Sequence, residues 1–194
     1  MTSNLSKQHF GLNALLRGAE RLNADMPLVM MTDERAADWA AAARRLPPGS
    51  VVVVRAHEAR RRHVLAAELR GLANLLIADD PLLADEIGAA GLHLPEAKMK
   101  QAPHWRRRHP DWIITASAHS LRALMHARAL DAVFLSPVFA TASHPDTRPL
   151  TPVRAAFIAA LAPVPVYALG GVTARNAALL PPAFSGIAAI GSFL

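Results

Sequence analysis

Several polar and ionisable side chains in this chain stand directly after short apolar runs, where a buried strand would end. These positions hold Arg55, His57, Asp79, Asp80, Ser117 and His119. An arginine at the end of a valine run is costly to bury unless it faces solvent or an anionic partner, so Arg55 is a candidate anion-binding residue. Ser117 and His119 could hydrogen-bond a substrate. No aspartate is placed to complete a hydrolase triad with them, so a nucleophilic serine is not expected.

The pair Asp79-Asp80 has two interpretations. It could hold Mg²⁺ beside a diphosphate, because this ion uses one or two carboxylates together with phosphate oxygens. It could equally cap a helix, because Pro81 follows and proline is common in the first turn of a helix. His93, inside the run GLHL, is expected to be a buried histidine with its hydrogen bonds satisfied rather than a ligand.

Two glycine-containing turns predict phosphate binding. Gly170 and Gly171 end one apolar run, and Gly191 and Ser192 follow another. A residue without a side chain lets a phosphate approach backbone N–H groups, which is how helix-start loops bind such anions. The alternative is that the glycine pair only forms a tight turn.

The longest predicted loop covers residues 136–151 and is of the size that often forms a lid or a binding loop. Its polar residues are Thr141, Ser143, His144, Asp146 and Arg148. His144 and Arg148 could clamp an anion. A solvated surface loop is the alternative.

Short apolar runs and helix-length segments alternate along the chain, which predicts an α/β fold. The eight runs cover residues 28–32, 51–54, 72–78, 91–94, 112–117, 132–136, 164–170 and 186–191. The predicted helices cover residues 34–46, 59–69, 81–90, 120–130, 151–161 and 173–180, with a degraded helix or loop at 97–111. Continuous apolar runs are typical of parallel strands buried on both faces. Eight of them favour a closed (β/α)₈ barrel, in which the strand ends carry the active site.

The two ends of the chain depart from a regular barrel. Residues 10–24 predict an extra helix before the first strand, and the sequence stops directly after the eighth strand. We therefore expect an N-terminal extension, 1–27, and one compact barrel domain, 28–194, that lacks its final helix. Such a barrel should leave an apolar stripe beside strand eight, which the N-terminal helix or a second subunit would cover. We expect a homodimer.

Composition excludes several classes of protein. The chain has 194 residues, 52% of them hydrophobic, and no cysteine, which excludes global disorder, disulfide scaffolds, iron–sulfur clusters and thiol chemistry. The net charge of +6 suggests an anionic partner, but aromatics at 5% are scarce for base stacking. The arginine runs at 60–62 and 106–108 are expected to be solvated outer faces, so small phosphorylated substrates are favoured over nucleic acid. No signal peptide or membrane span is predicted, and we expect a cytoplasmic protein.

These motifs, in this order, resemble the thiamine phosphate synthase/TenI family of barrels from residue 28 to the C-terminus. The resemblance rests on LVMMTDE, VVVVRAHE, LLIADD, ADEIGAAGLHLPE, ASAHS, SPVFATASHPDTRPL and VPVYALGGVTARNAALL. It implies a transferase of thiamine biosynthesis that uses Mg²⁺ to join a pyrimidine methyl diphosphate to a thiazole phosphate and releases pyrophosphate. The implied route is dissociative, because the diphosphate leaves before the thiazole nitrogen captures the pyrimidine cation. The alternative is a TenI-like barrel that binds a phosphate ligand without catalysis or with another specificity.

The resemblance also implies roles for single residues. Arg55 matches a diphosphate ligand, and His57 stands where the family has a lysine. Ser117 and His119 match the strand-five motif. The remaining positions that match phosphate-binding residues are Thr141, Ser143, Gly170, Gly171 and Ser192. His144 occupies a lysine position, and with Arg55 and Ser117 it completes the implied catalytic set.

The implied metal site is incomplete. Asp79 matches a Mg²⁺ aspartate, but Ala78 replaces the neighbouring asparagine, and the segment 95–98 lacks the second metal aspartate. Lys98 could replace the missing charge, or Glu96 could replace the ligand. A tautomerase of the TenI type is not supported, since its catalytic histidine would fall at Pro137.

Overall fold

Eight parallel strands close into a barrel in sequence order. The computed structural model describes residues 2–22, 26, 28–34, 38–141, 147–190 and 192. The strands are β1 (Val29–Met31), β2 (Val51–Val54), β3 (Asn74–Ala78), β4 (Gly91–Leu94), β5 (Ile113–Ala118), β6 (Ala132–Leu135), β7 (Val166–Ala168) and β8 (Gly186–Ala189). Closure pairs Val29 with Ala188 and Met30 with Ala189. The predicted (β/α)₈ barrel and all eight predicted strands are confirmed.

Seven α-helices accompany the strands in the described part of the chain. They are α1 (Thr2–Arg21), α2 (Trp39–Ala43), α3 (Ala59–Leu69), α4 (Pro81–Glu86), α5 (Ala102–Arg108), α6 (Leu121–Leu124) and α7 (Pro152–Ala160). The segment at 97–111 is better formed than the two prolines suggested, since a 3₁₀ helix, Glu96–Gln101, leads directly into α5. Pro103 fits because it stands in the first turn of α5, where its missing N–H is not needed.

The prediction of a helix at 173–180 was wrong. Only a short 3₁₀ helix, Ala177–Leu179, forms there. The Asn176 side chain accepts a hydrogen bond from the Thr173 N–H at 2.7 Å and donates one to the Gly171 carbonyl at 2.8 Å. These side-chain bonds offer the backbone an alternative to a regular helix.

The strands bury both faces, as continuous apolar runs require. The inner face fills the barrel with side chains that alternate along each strand, such as Val51 and Val53 on β2 and Phe134 on β6. Val52 and Val54 face outward into the layer of helices. This alternation follows from the two-residue period of a strand. The barrel interior is therefore a packed core, and a substrate can bind only at its mouth.

Helix α1 covers the outer face of β8. It packs on β8 and on the 3₁₀ helix 177–179, and Arg21 donates a hydrogen bond to the Leu180 carbonyl. Gly18 permits this approach, because a Cβ there would stand 3.0 Å from Ile187 Cδ1. Among the described residues no α-helix follows β8, which agrees with the predicted loss of the final helix. The expected apolar stripe beside β8 is thus covered by α1 itself, whereas the division at residue 27 stays a prediction.

Arg60, Arg107 and Arg108 are exposed, as expected of solvated faces, whereas Arg62 and Arg106 in the same runs have structural contacts. Arg106 donates to the Trp112 carbonyl at 2.6 Å and to Asp131 at 2.5 Å, and Asp131 also accepts from the Ile114 N–H at 2.7 Å. Arg62 bonds Asp80 at 3.0 Å. These contacts account for part of the basic character of the surface without a nucleic-acid partner. No helix in the described residues has both the length and the apolar character to cross a membrane.

Candidate active site

The predicted site residues that the structure describes gather at the C-terminal ends of the strands. Arg55 follows β2 directly, Asp79 follows β3, and Gly170 and Gly171 follow β7. Ser117 is the penultimate residue of β5, and His119 directly follows the strand. His57 is exposed, and its backbone N–H donates to the Glu34 carboxylate. Ser143, His144 and Gly191 lie outside the described residues.

A buried threonine fixes the backbone of Arg55. The Thr32 hydroxyl accepts a hydrogen bond from the Arg55 N–H and donates one to the Arg55 carbonyl, both at 2.9 Å. Thr32 follows β1, so these bonds join two neighbouring strand ends. The Arg55 side chain is half-buried and forms no ion pair with another described residue. The sequence places Thr32 among the polar residues at the strand ends, but it does not predict that this hydroxyl fixes the Arg55 backbone.

His93 supports Ser117 from inside the barrel. Its Nε2 lies 2.9 Å from the Ser117 hydroxyl and its Nδ1 lies 2.9 Å from the Thr115 hydroxyl. The ring stacks on Phe134 with a centroid distance of 4.9 Å. Burial, and after it the Arg55 guanidinium, lowers the pKa of His93 from 6.5 to about 3. The expectation of a buried, satisfied histidine is confirmed, and this neutral ring holds the Ser117 hydroxyl in place.

The low pKa of His93 makes stability depend on pH. Above pH 6.5 the ring is neutral in both states, and between pH 6.5 and 3 only the unfolded chain binds the extra proton. As the pH falls through that window, the free energy of unfolding should therefore fall by about 1.4 kcal/mol per pH unit because of this residue alone. His93→Gln keeps a polar side chain but removes the titration. Urea denaturation of both proteins at pH 4.5 to 7.5 measures the effect, and the wild-type curve should be the steeper one. Parallel curves would contradict the prediction.

His119 is oriented by the next strand. Its Nδ1 lies 2.9 Å from the Ser136 carbonyl oxygen, and its backbone N–H donates to Glu96 at 2.6 Å. A carbonyl oxygen only accepts, so Nδ1 is the donor in this contact. His119 is exposed and can therefore meet a ligand. Glu96, which could have replaced a metal ligand, is already engaged by this backbone N–H.

The two aspartates after β3 have separate roles. Asp80 is the helix cap, since it accepts from the Leu83 N–H at 3.1 Å and pairs with Arg62. Asp79 adopts a positive φ of 54° and turns its carboxylate to Lys98, whose Nζ lies 2.8 Å from both carboxylate oxygens. Lys98 comes from the 3₁₀ helix after β4. The structure thus brings Lys98, one of the two expected replacements in the metal site, directly onto Asp79.

The donor set around Asp79 does not fit Mg²⁺. This ion requires oxygen ligands in near-octahedral geometry at about 2.1 Å. Both oxygens of the candidate carboxylate are taken by an ammonium group, and Asp80 and Glu96 are each bonded within the protein. No group of three or more ligating side chains suited to a metal occurs in the part of the chain that is described.

The glycine pair after β7 is required by close backbone packing. Gly170 and Gly171 have φ values of 85° and 66°. A Cβ on Gly171 would stand 2.2 Å from the Ala140 carbonyl oxygen. The segment after β6 runs beside this turn, since the Phe139 N–H donates to the Gly170 carbonyl at 3.0 Å. The pair thus forms a tight turn, and phosphate binding by the same turn stays a prediction.

The segments that carry Ser192 and Thr141 both contact the loop after β7. The Ser192 hydroxyl donates to the Val172 carbonyl at 2.6 Å, which joins the residue after β8 to the loop after β7. Thr141 is half-buried at the end of the segment that packs on Gly171. The structure thus brings together two of the predicted phosphate-binding segments.

Comparison with known proteins supports one family. A family model described as thiamine monophosphate synthase matches residues 27–193. A relative from Aquifex aeolicus, "Putative thiamine-phosphate synthase 2", is 36% identical in an alignment of 121 positions that covers 59% of this chain and 64% of the relative. A thiamine-phosphate synthase from Synechococcus sp. is 31% identical in an alignment of 196 positions, gaps included, that covers 94% of this chain and 55% of the relative. The chain thus spans less than two thirds of the length of these relatives.

A solved structure agrees on the fold. The thiamine phosphate pyrophosphorylase from Pyrococcus furiosus superposes with a TM-score of 0.68 over 87% of each chain, at 23% identity. At this identity the likeness speaks for the barrel architecture alone.

Proposed function

The chain belongs to the thiamine monophosphate synthase family, and from that membership we propose that it is a transferase of thiamine biosynthesis. It would join a pyrimidine methyl diphosphate to a thiazole phosphate and release pyrophosphate. The observation that carries the proposal is the extent of the family match, which includes every strand of the barrel and every strand end at its mouth. Relatives that bear the name thiamine-phosphate synthase support it. Its phosphorylated substrates and the absence of cysteine suit a cytoplasmic location.

The proposed reaction needs charge stabilisation more than a base. The bond between the pyrimidine methyl carbon and the diphosphate oxygen breaks, and its electron pair leaves on the diphosphate. The thiazole nitrogen lone pair then forms the new C–N bond, so no proton has to be removed from that nitrogen. Arg55 would bind the diphosphate and stabilise its growing charge. Ser117, held by His93, and the exposed ring of His119 would orient the substrate.

The remaining predicted residues divide between the diphosphate of one substrate and the phosphate of the other. We assign Thr141, Ser143 and His144 to the diphosphate, with His57 beside Arg55. The phosphate of the thiazole would bind at the residues Gly170, Gly171, Gly191 and Ser192. The bond between Ser192 and Val172 supports this grouping, because it unites the loops after β7 and β8, the usual phosphate site of such barrels.

Magnesium is the cofactor that the family implies. The residues present do not fit it, because Asp79 already holds Lys98, and Asp80 and Glu96 are bonded elsewhere in the protein. No step of the reaction is therefore derived through a metal. This same contact favours a second candidate function, a barrel that binds phosphate ligands without synthase activity.

A direct assay separates the two functions. Purified protein is mixed with both precursors, with and without Mg²⁺, and thiamine phosphate is measured by chromatography. The proposal expects product, and heat-inactivated protein is the control. Retained binding of the thiazole phosphate without any product would favour the second function.

We also propose that the protein is a homodimer that associates through α7. Val153, Phe157 and Leu161 are 79%, 67% and 50% exposed and recur every four residues, so they form one apolar face. The apolar surface expected beside β8 is covered by α1, which leaves the α7 face as the candidate interface. A second copy would cover it with an identical face, as in most two-fold dimers.

Phe157→Glu is expected to give a monomer, because a charge at the centre of an apolar interface is left unpaired. Light scattering after size exclusion, at micromolar protein concentration, measures the mass of each variant. Leu82→Glu, at the 80% exposed Leu82 of α4 and outside the α7 face, is the matched control and should leave the dimer intact. A wild-type monomer at micromolar concentration would contradict the proposal.

A further inference from the structure

Lys98 and Asp79 meet at the C-terminal ends of β3 and β4, at the mouth of the barrel. Arg55 follows β2, Asp79 follows β3, and Lys98 lies just after β4. These strands are neighbours in the barrel, so Arg55 and Lys98 come from the strand ends on either side of the one that carries Asp79. Arg55 lies close enough to this region to lower the pKa of His93 on β4. The mouth therefore carries a cation on each of the two strand ends next to the position where the family implies a metal.

The backbone sets the Asp79 carboxylate in place. The Asp79 N–H donates to the His93 carbonyl at 2.9 Å, which ties the end of β3 to β4. The residue then takes a φ of 54°, a conformation that aspartate tolerates better than most side chains. Lys98 is placed by the 3₁₀ helix that begins directly after β4. Both partners are thus positioned by the barrel rather than by a long flexible loop.

The ammonium group keeps capacity for a ligand. It has three N–H donors, and the two oxygens of one carboxylate satisfy at most two of them. The Lys98 and Asp79 side chains are 46% and 40% exposed, so an anion can reach the third donor. A phosphate oxygen is a suitable acceptor for it.

We propose that Lys98 is the resident cation of the diphosphate subsite, where it contacts the diphosphate directly in place of a divalent metal. Asp79 acts as a positioning residue, because it orients the ammonium and does not touch the ligand. The inference rests on the proposed function for the identity of the anion. It differs from the family expectation, in which the carboxylate would hold the metal.

The matching variants should fold. An exposed ion pair contributes only about 0–1 kcal/mol to stability, so its removal leaves the barrel intact. Lys98→Ala removes the cation, and Lys98→Asp places a second carboxylate beside Asp79. Lys100→Ala is the control, since Lys100 belongs to the same 3₁₀ helix but has no bond to Asp79. Thermal melts of all variants verify folding.

The experiment measures the binding of inorganic pyrophosphate by calorimetry in EDTA. The wild type is expected to bind it, Lys98→Ala at least tenfold more weakly, and Lys100→Ala within twofold of the wild type. Lys98→Asp should lose binding in EDTA and regain it with Mn²⁺. Titration of Mn²⁺ alone, followed by electron paramagnetic resonance, should find a saturable site in Lys98→Asp and none in the wild type.

The outcomes separate this inference from the proposed function. Pyrophosphate binding by the wild type that EDTA abolishes and Mn²⁺ restores overturns the inference, even if thiamine phosphate is formed. Equal affinities of the wild type and Lys98→Ala in EDTA overturn it as well. Metal-free binding that depends on Lys98 supports it, even if the synthase assay gives no product and the proposed function fails.

Discussion

Replacement of Arg55 by alanine is expected to weaken pyrophosphate binding by roughly 10- to 100-fold. A hydrogen bond to a charged group contributes about 1.5–3 kcal/mol, and tenfold in affinity corresponds to about 1.4 kcal/mol. The effect should be near the upper end, because the guanidinium is half-buried and its backbone is fixed by Thr32. The turnover of the proposed synthase should fall at least as much, since charge on the diphosphate grows as the bond breaks.

Two variants test whether geometry or charge alone is responsible. Arg55→Lys keeps the charge but loses the planar fork that binds two phosphate oxygens, so it should recover only part of the affinity. Arg107→Ala removes one positive charge from an exposed position on α5 and should leave the affinity unchanged. Calorimetry with pyrophosphate measures all three. If Arg55→Ala binds as well as Arg107→Ala, Arg55 does not contact the anion.

The second large effect is expected for Gly171→Ala, which should reduce the free energy of unfolding by about 3 kcal/mol or more. A side chain at its φ of 66° costs about 1–2 kcal/mol by itself. The new Cβ would also stand 2.2 Å from the Ala140 carbonyl oxygen and 2.8 Å from that of Phe139. Backbone atoms cannot rotate away, so the loops after β6 and β7 must separate, at a further cost of about 1–3 kcal/mol.

Gly88→Ala is the matched control. Gly88 has nearly the same φ, 63°, but a Cβ there would meet no atom within 4 Å. It should show only the conformational cost, so the difference between the two variants measures the close packing alone. Chemical denaturation gives both free energies, and Gly171→Ala should also melt roughly 5–10 °C lower than the wild type. Equal losses in the two variants would show that the loop packing adds no stability.

The barrel could be predicted from the sequence because each strand is a short apolar run that must be buried on both faces. The helices were harder to predict than the strands, since helix lengths depend on hydrogen bonds between local side chains and the backbone. The segment after β7 contains the residues of a helix, yet the Asn176 side chain bonds to Thr173 and Gly171 and prevents one. Composition and periodicity carry no information about such a competition.

The site was predictable as a set of strand ends and not as a set of contacts. Arg55, Asp79, Ser117 and His119 could be placed at one end of the barrel from their positions in the sequence alone. That Asp80 and not Asp79 caps α4 depends on a φ angle that no sequence pattern specifies. The distance between Lys98 and Asp79 depends on the 3₁₀ helix at 96–101, where only a degraded helix or a loop had been expected.

The packing of α1 on β8 has a consequence for how the chain folds during synthesis. Arg21 and Leu180, which bond across this seam, lie 159 positions apart. At about 5–20 residues per second, the ribosome takes roughly 10–30 s to make the intervening chain. During that time the apolar face of α1, with Leu15 and Ala19, has no strand to cover. The first helix of the described chain thus has to remain available until β8 emerges, and barrel closure and helix docking become a single late event.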